Sequence, residues 1–176
     1  MAAFLHDSSY HRALGFFCAH WAYAEAAVDL CNSAVLDSYG GRTIAPALPH
    51  DFEEQIEFFR KAHRTLPALA PFARSGLPLI GRLAALRYDR HSLITGLQLG
   101  YLSQMPPDVQ RTRLVPDGLF TEAKRFTEAE IEGKAAEAAD IAAGLLAHAV
   151  ALTRGALAAT APSEGKRDDE RTIRTG

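Results

Sequence analysis

Along the first forty residues, apolar and small side chains return every three or four positions: Tyr10, Leu14, Phe17, Trp21, Ala24, Val28, Cys31 and Val35. A second row runs beside the first: Ala13, Phe16, His20, Tyr23, Ala27, Leu30 and Ala34. At about 3.6 residues per turn, two adjacent rows make one wide face that seeks burial. The pattern predicts a long helix over Ser8–Ser38, with Arg12, Glu25, Asp29 and Asn32 on its wet side. Asp7 or Ser8 can accept a bond from a free backbone N–H at its start. Tyr39-Gly40-Gly41 stops it, because glycine takes the left-handed conformation cheaply.

Arg42–His50 carries two prolines and reads as a loop. A second helix is expected over Asp51–Arg64, with Phe52, Ile56, Phe59 and His63 sharing a face. Its early glutamates and late Arg60, Lys61 and Arg64 suit the helix dipole. Leu66-Pro67 ends it, Ala68–Arg74 reads as a short turn, and Ser75-Gly-Leu-Pro78 restarts the chain. A third helix then runs to Thr95 on Leu79, Leu83, Leu86 and Arg90. Met105-Pro-Pro-Asp108 and Val115-Pro-Asp-Gly118 are turn signals. Between and after them, Val109–Val115 and Leu119–Phe126 read as a small hairpin, with Gln98–Ser103 as a third strand. Thr127-Glu-Ala-Glu130 is a capping box that opens a last helix, Glu128–Ala158. Its seam is Ile131, Ala135, Ala138, Ala142, Leu145, Ala149 and Leu152.

The expected fold is therefore all-α: an up-and-down bundle of four to five helices with a small β-hairpin insertion before the last helix. One domain covers 1–159. The polar segment 160–176 reads as a disordered tail.

Composition adds limits. The chain has 176 residues, of which 48% are hydrophobic and 23% charged, enough for a real core. A net charge of -2 gives no global field toward nucleic acid or anionic lipid, so any such binding needs a local patch. The first residues lack a basic, then apolar, leader pattern. Ala13–Ala24 and Ile141–Leu152 fall short of the roughly 20 apolar residues that cross a bilayer. No membrane is expected, and a cytoplasmic location is the default. Cys18 and Cys31 on one helix would sit about 20 Å apart, too far for a disulfide. No Glu-x-x-His or His-x-x-x-His pair places two ligands on one helical face, so neither metal nor cofactor is expected. His20 sits in an apolar row and reads as a core histidine.

The densest polar cluster is Arg87-Tyr-Asp89-Arg90-His91-Ser92, running into Leu93-Ile-Thr95-Gly96. One reading is a favourable cationic helix end. The other is a site in a crevice, where arginine holds an anion and histidine moves protons near neutral pH. Arg60 with Arg64, and Arg111 with Arg113 on one strand face, offer further cations for a phosphate backbone. Their ordinary reading is a solvated helix end and a charged sheet edge.

Three segments resemble the HEPN-like superfamily of bacterial helical-bundle proteins: Trp21-Ala-Tyr-Ala-Glu25, Arg90-His-Ser-Leu-Ile-Thr-Gly96 and Phe126-Thr-Glu-Ala-Glu-Ile131. Nuclease members carry Arg-x-x-x-x-His, often followed by Gly. Here Arg90 matches the arginine and Gly96 the glycine, while Thr95 stands where the histidine belongs. Threonine takes up no proton at neutral pH. The resemblance thus implies a catalytically inactive relative that binds RNA or a protein partner in a toxin or defence setting, as a homodimer. Two alternatives stand beside it. One is an active metal-independent ribonuclease using Arg90 or Arg87 with His91. The other is a structural or dimerisation module paired through the wide face of the first helix.

Overall fold

In the computed structural model of the chain, the described residues are 8–95, 97–98, 108–115 and 118–160. The expected tail beyond Thr160 and the turns at 105–107 and 116–117 lie outside them, as do the side chains of Thr95, Arg111 and Arg113. The chain is mostly helical: α1 Ser8–Ser38, α2 Phe52–Thr65, α3 Ala70–Thr95 and α4 Glu128–Thr160.

Local chemistry sets the ends. Asp51 Oδ1 accepts from the N–H groups of Glu53 (2.8 Å) and Glu54 (3.3 Å), so it caps α2 rather than beginning it. Thr127 and Glu130 satisfy each other reciprocally at the start of α4: Thr127 N–H donates to Glu130 Oε2 (2.7 Å) and Glu130 N–H to Thr127 Oγ1 (3.2 Å). Gly40, at φ +80°, turns the chain after α1. A Cβ at Gly41 would lie 2.8 Å from Leu36 Cα and Val35 O, so this turn packs directly on the helix it leaves.

The restart expected at Pro78 is not found. A 3-10 turn, Pro67–Leu69, leads straight into α3, which runs through Pro78 without a break. Proline leaves the carbonyl four residues back, that of Arg74, without its helical donor. Arg74 and Pro78 are both exposed, so water can serve that carbonyl.

Three antiparallel strands follow α3: β1 Leu97–Gln98, β2 Asp108–Val115 and β3 Gly118–Arg125, in the order β1-β2-β3. Arg111 stands opposite Glu122 and Arg113 opposite Phe120. Of the segment 98–103 read as a third strand, only Gln98 is among the described residues.

The helix directions depart from an up-and-down bundle. Ser9 near the start of α1 donates to Glu128 at the start of α4 (2.8 Å). Cys31 Sγ reaches Leu145 O (3.4 Å), and Tyr39, just past the end of α1, donates to Leu152 O (2.5 Å). These helices therefore run parallel. α2 shares their direction: Phe52 at its start stacks edge-on to Trp21, while His63 near its end meets His148. α3 alone runs back, from Phe72 beside Tyr39 to Arg90 over Trp21. The connection after α1 explains this. Ile44, Ala45 and Leu48 pack against the core as it returns along the bundle, so α2 starts beside the middle of α1. Up-and-down order needs short connections, and this one is long.

The first apolar row of α1 is buried except for the half-buried Leu14, and the whole predicted seam of α4 is buried. The second row of α1 divides. Ala13 and Ala27 are buried, His20 is half-buried, and Phe16, Tyr23 and Leu30 are exposed. Asn32, expected on the wet side, is fully buried, and its Nδ2 donates to Gln55 O at 3.1 Å. The expectation on span length also changes. Among the described residues, α4 is long and apolar enough to cross a membrane by length and composition. The face carrying Ile131 to Leu152 packs into the bundle core.

Candidate functional site

The predicted cluster at the end of α3 is turned in several directions. Arg87 is ion-paired with Glu53 in the first turn of α2, and its guanidinium lies over the Tyr88 ring. Asp89 holds Lys134 of α4 at 2.6 Å. Arg90 faces α1: its Nη2 is 3.9 Å from Glu25 Oε1, and its guanidinium sits 5.8 Å above the Trp21 ring. His91 is half-buried. One short stretch of helix thus ties α3 to each of the other three helices.

The Arg90 and Trp21 pairing leaves loose ends. Trp21 Nε1 and Arg90 Nε are both buried without a hydrogen-bond partner. Unpaired buried donors cost about 1–3 kcal/mol each.

Arg60 and Arg64 do not join Arg87 and Arg90 in one cleft. Arg60 pairs with Glu57 on its own helix (2.8 Å), and Arg64 is exposed at the end of α2. Arg87 binds the beginning of that helix. Because α3 runs against α2, Arg60 and Arg64 lie about 10 and about 16 Å along that helix from the Glu53 that holds Arg87.

A constellation at the opposite end of the bundle escaped the sequence reading. His63 of α2 and His148 of α4 are each only 3% exposed, and their Nε2 atoms are 3.0 Å apart. His63 Nδ1 is 3.0 Å from Phe59 O. His148 Nδ1 is 3.1 Å from the hydroxyl of Ser75 on α3, which is exposed and also lies 3.0 Å from Phe72 O. The Phe59 ring stacks on His63 at 4.0 Å between centroids, and Phe72 meets His148 edge-on. Gly76 lets α3 approach: a Cβ there would fall 2.7 Å from His148 Cε1 and Nε2.

Sequence held half of this signal. His63 was visible on the apolar face of Phe59, whereas His148, three residues after Leu145 in an alanine-rich run, carried no partner at helical spacing. Only the packing of α2 on α4 joins them.

Electrostatics follow from burial. Desolvation lowers the His63 pKa, against the opposing pull of the Phe59 carbonyl. Desolvation and then the charge of His63 lower His148 to about 4. Both rings are therefore neutral at pH 7.

A hydroxyl backed by two imidazoles has the outline of a nucleophile with its base and orienting group. Two features speak against turnover here. An imidazole pushed down to about 4 is a weak base at neutral pH. Ser75 lies inside α3, where backbone N–H groups are engaged and give no oxyanion donors. A depression of about 260 Å³ between α1 and α4 is lined by Ala13, Phe16, His20, Glu132, Ala135 and Ala136.

Among the described residues, no three or more His, Cys, Asp or Glu side chains gather to hold a metal ion. Compared with models of known families, with curated proteins and with solved structures, the chain matches none.

Proposed function

We propose that this protein is a self-associating helical module that works by presenting a face, with a second copy of the chain as its partner. The observation that carries the reading is the row Phe16, Tyr23 and Leu30 on α1, exposed by 56%, 62% and 54%. Leu146, Val150 and Leu157 are likewise exposed on the parallel helix α4. Single exposed apolar residues need no explanation, but aligned rows of them mark interaction surfaces.

Charge selects the partner. Neither 13–24 nor 141–153 contains an Asp, Glu, Lys or Arg. A face whose middle lacks charge, with Glu132 beside Phe16 at its edge, is matched by another of the same kind, and a two-fold pairing supplies that from the same chain. Exposed Ala19, Ala22, Ala26, Ala143 and Ala147 permit close helix approach. Sedimentation of the purified chain at tens of micromolar is expected to give a dimer, and Tyr23→Glu with Leu30→Glu a folded monomer. A wild-type monomer at that concentration removes the reading.

The HEPN-like reading, RNA or partner binding by a degenerate motif, is the rival. Its support is the Arg90–Gly96 segment. In this structure Arg87 and Arg90 already face Glu53 and Glu25, so RNA would have to displace carboxylates. Salt-dependent binding of structured RNA, weakened by Arg87→Gln and Arg90→Gln, would favour it. RNA cleavage lost in His91→Ala would favour the ribonuclease reading instead.

A further inference from the structure

We propose that His63, His148 and Ser75 form an acid-sensitive latch: a buried site for one proton, entered at the Ser75 hydroxyl, whose second protonation parts α2 from α4.

The donors and acceptors of these side chains set the tautomers. Phe59 O accepts only, so the His63 nitrogen facing it, Nδ1, carries a proton. In the neutral ring, His63 Nε2 is then an acceptor. His148 Nε2, 3.0 Å away, must be the donor. That leaves His148 Nδ1 bare, and it accepts from the Ser75 hydroxyl. The neutral dyad has this one fully satisfied arrangement, with opposite tautomers on its two rings.

One added proton is also satisfied. It enters at His148 Nδ1, the nitrogen that reaches the surface through Ser75. His148 then donates to Ser75 Oγ, and the serine turns its own proton to Phe72 O at 3.0 Å. The proton between the two Nε2 atoms is shared, and every other bond keeps a donor and an acceptor. A second proton has no such place. Both Nε2 atoms would carry hydrogens facing each other across 3.0 Å, with two positive rings in an apolar core.

Among the described residues, nothing nearby compensates that charge. From α2 the facing titratable group is His63, and from α4 it is His148. From α3 come Ser75, Gly76 and Phe72, with exposed Arg74 beside them. From the end of α1, Tyr39 reaches the site only through the Phe72 ring. The influences on the two imidazoles are burial, the Phe59 carbonyl and each other, with no carboxylate among them.

The test is nitrogen-15 NMR of histidine side chains in the full chain, titrated from pH 7.5 downward. At neutral pH, His63 is expected to carry its proton on Nδ1 and His148 on Nε2. Acidification should add one proton to the folded state, and hydrogen exchange in 59–65 should rise before exchange in α1. The same tautomer on both rings, or two cationic rings in an intact fold, overturns the proposal. A second arm compares urea unfolding of wild type and His148→Gln, whose amide keeps the donor toward His63. Below pH 6.5 the wild-type unfolding constant should grow faster, by up to about tenfold per pH unit. Equal slopes overturn it. If the variant does not fold, the tautomers of the wild type still decide.

Discussion

His63 and His148 face each other through their Nε2 atoms at 3.0 Å, across 85 residues of sequence. This contact joins α2 to α4, and Ser75 extends it to α3 and the surface. It is one of two polar contacts named in the core, the other being Asn32 with Gln55 O, and it is packed by the aromatic rings of Phe59 and Phe72.

Acid should weaken the protein through this pair. Both folded pKa values lie below the ordinary value near 6.5. Between 6.5 and the folded value, the unfolded chain binds protons that the native chain refuses, so stability falls as pH falls. For His148 the window runs from about 6.5 to about 4. That displacement corresponds to at most about 3 kcal/mol at about 1.36 kcal/mol per unit. Urea midpoints measured across this range check it, and a midpoint flat from pH 7 to 5 contradicts it.

Gly76→Ala should destabilise by about 1–3 kcal/mol, as overpacking of a tight contact does. The new Cβ would meet the His148 ring at 2.7 Å and Phe59 Cζ at 2.9 Å. Gly81→Ala is the control, because its Cβ would meet nothing within 4 Å. Thermal melts of the two variants should separate them, with Gly81→Ala at or above wild type.

The two thiols should differ in reactivity. Burial pushes Cys31 up to about 12, and its Sγ lies against Leu145 O. Cys18 is half-buried; burial raises its pKa too, partly opposed by the charge of Arg90. Iodoacetamide under native conditions should therefore label Cys18 first and Cys31 only on unfolding. Peptide mass mapping reads the order, and early labelling of Cys31 would contradict its placement in the core.

Arg90→Met tests whether that arginine serves the fold or a ligand. Methionine keeps contact with Trp21 and removes an unpartnered buried Nε. The loosely held ion pair to Glu25 is partly exposed, and such pairs contribute little. Stability within about 1 kcal/mol of wild type is expected. Loss of RNA binding in this variant at unchanged stability would move the assignment toward the HEPN-like rival.

Periodicity by itself determined α1 from Ser8 to Ser38, the buried seam of α4 and the capping box at Thr127, because these depend on spacing and on groups within one turn. It misplaced features whose outcome depends on neighbours. Asn32 looked polar and therefore wet, but α2 arrives over it and Gln55 O takes its hydrogen bond. Pro78 looked like part of a helix restart, but α3 runs through it, and the carbonyl it leaves without a helical donor belongs to the exposed Arg74. Helix direction was not legible at all. The connection after α1 returns along the core and sets α1, α2 and α4 parallel, while α3 runs against α2 and so keeps Arg60 and Arg64 away from Arg87 and Arg90. Local rows of side chains thus fixed where helices form. Only packing decided which face of α1 stays open and that His63 and His148 meet, since burial and contact arise between elements far apart in the chain.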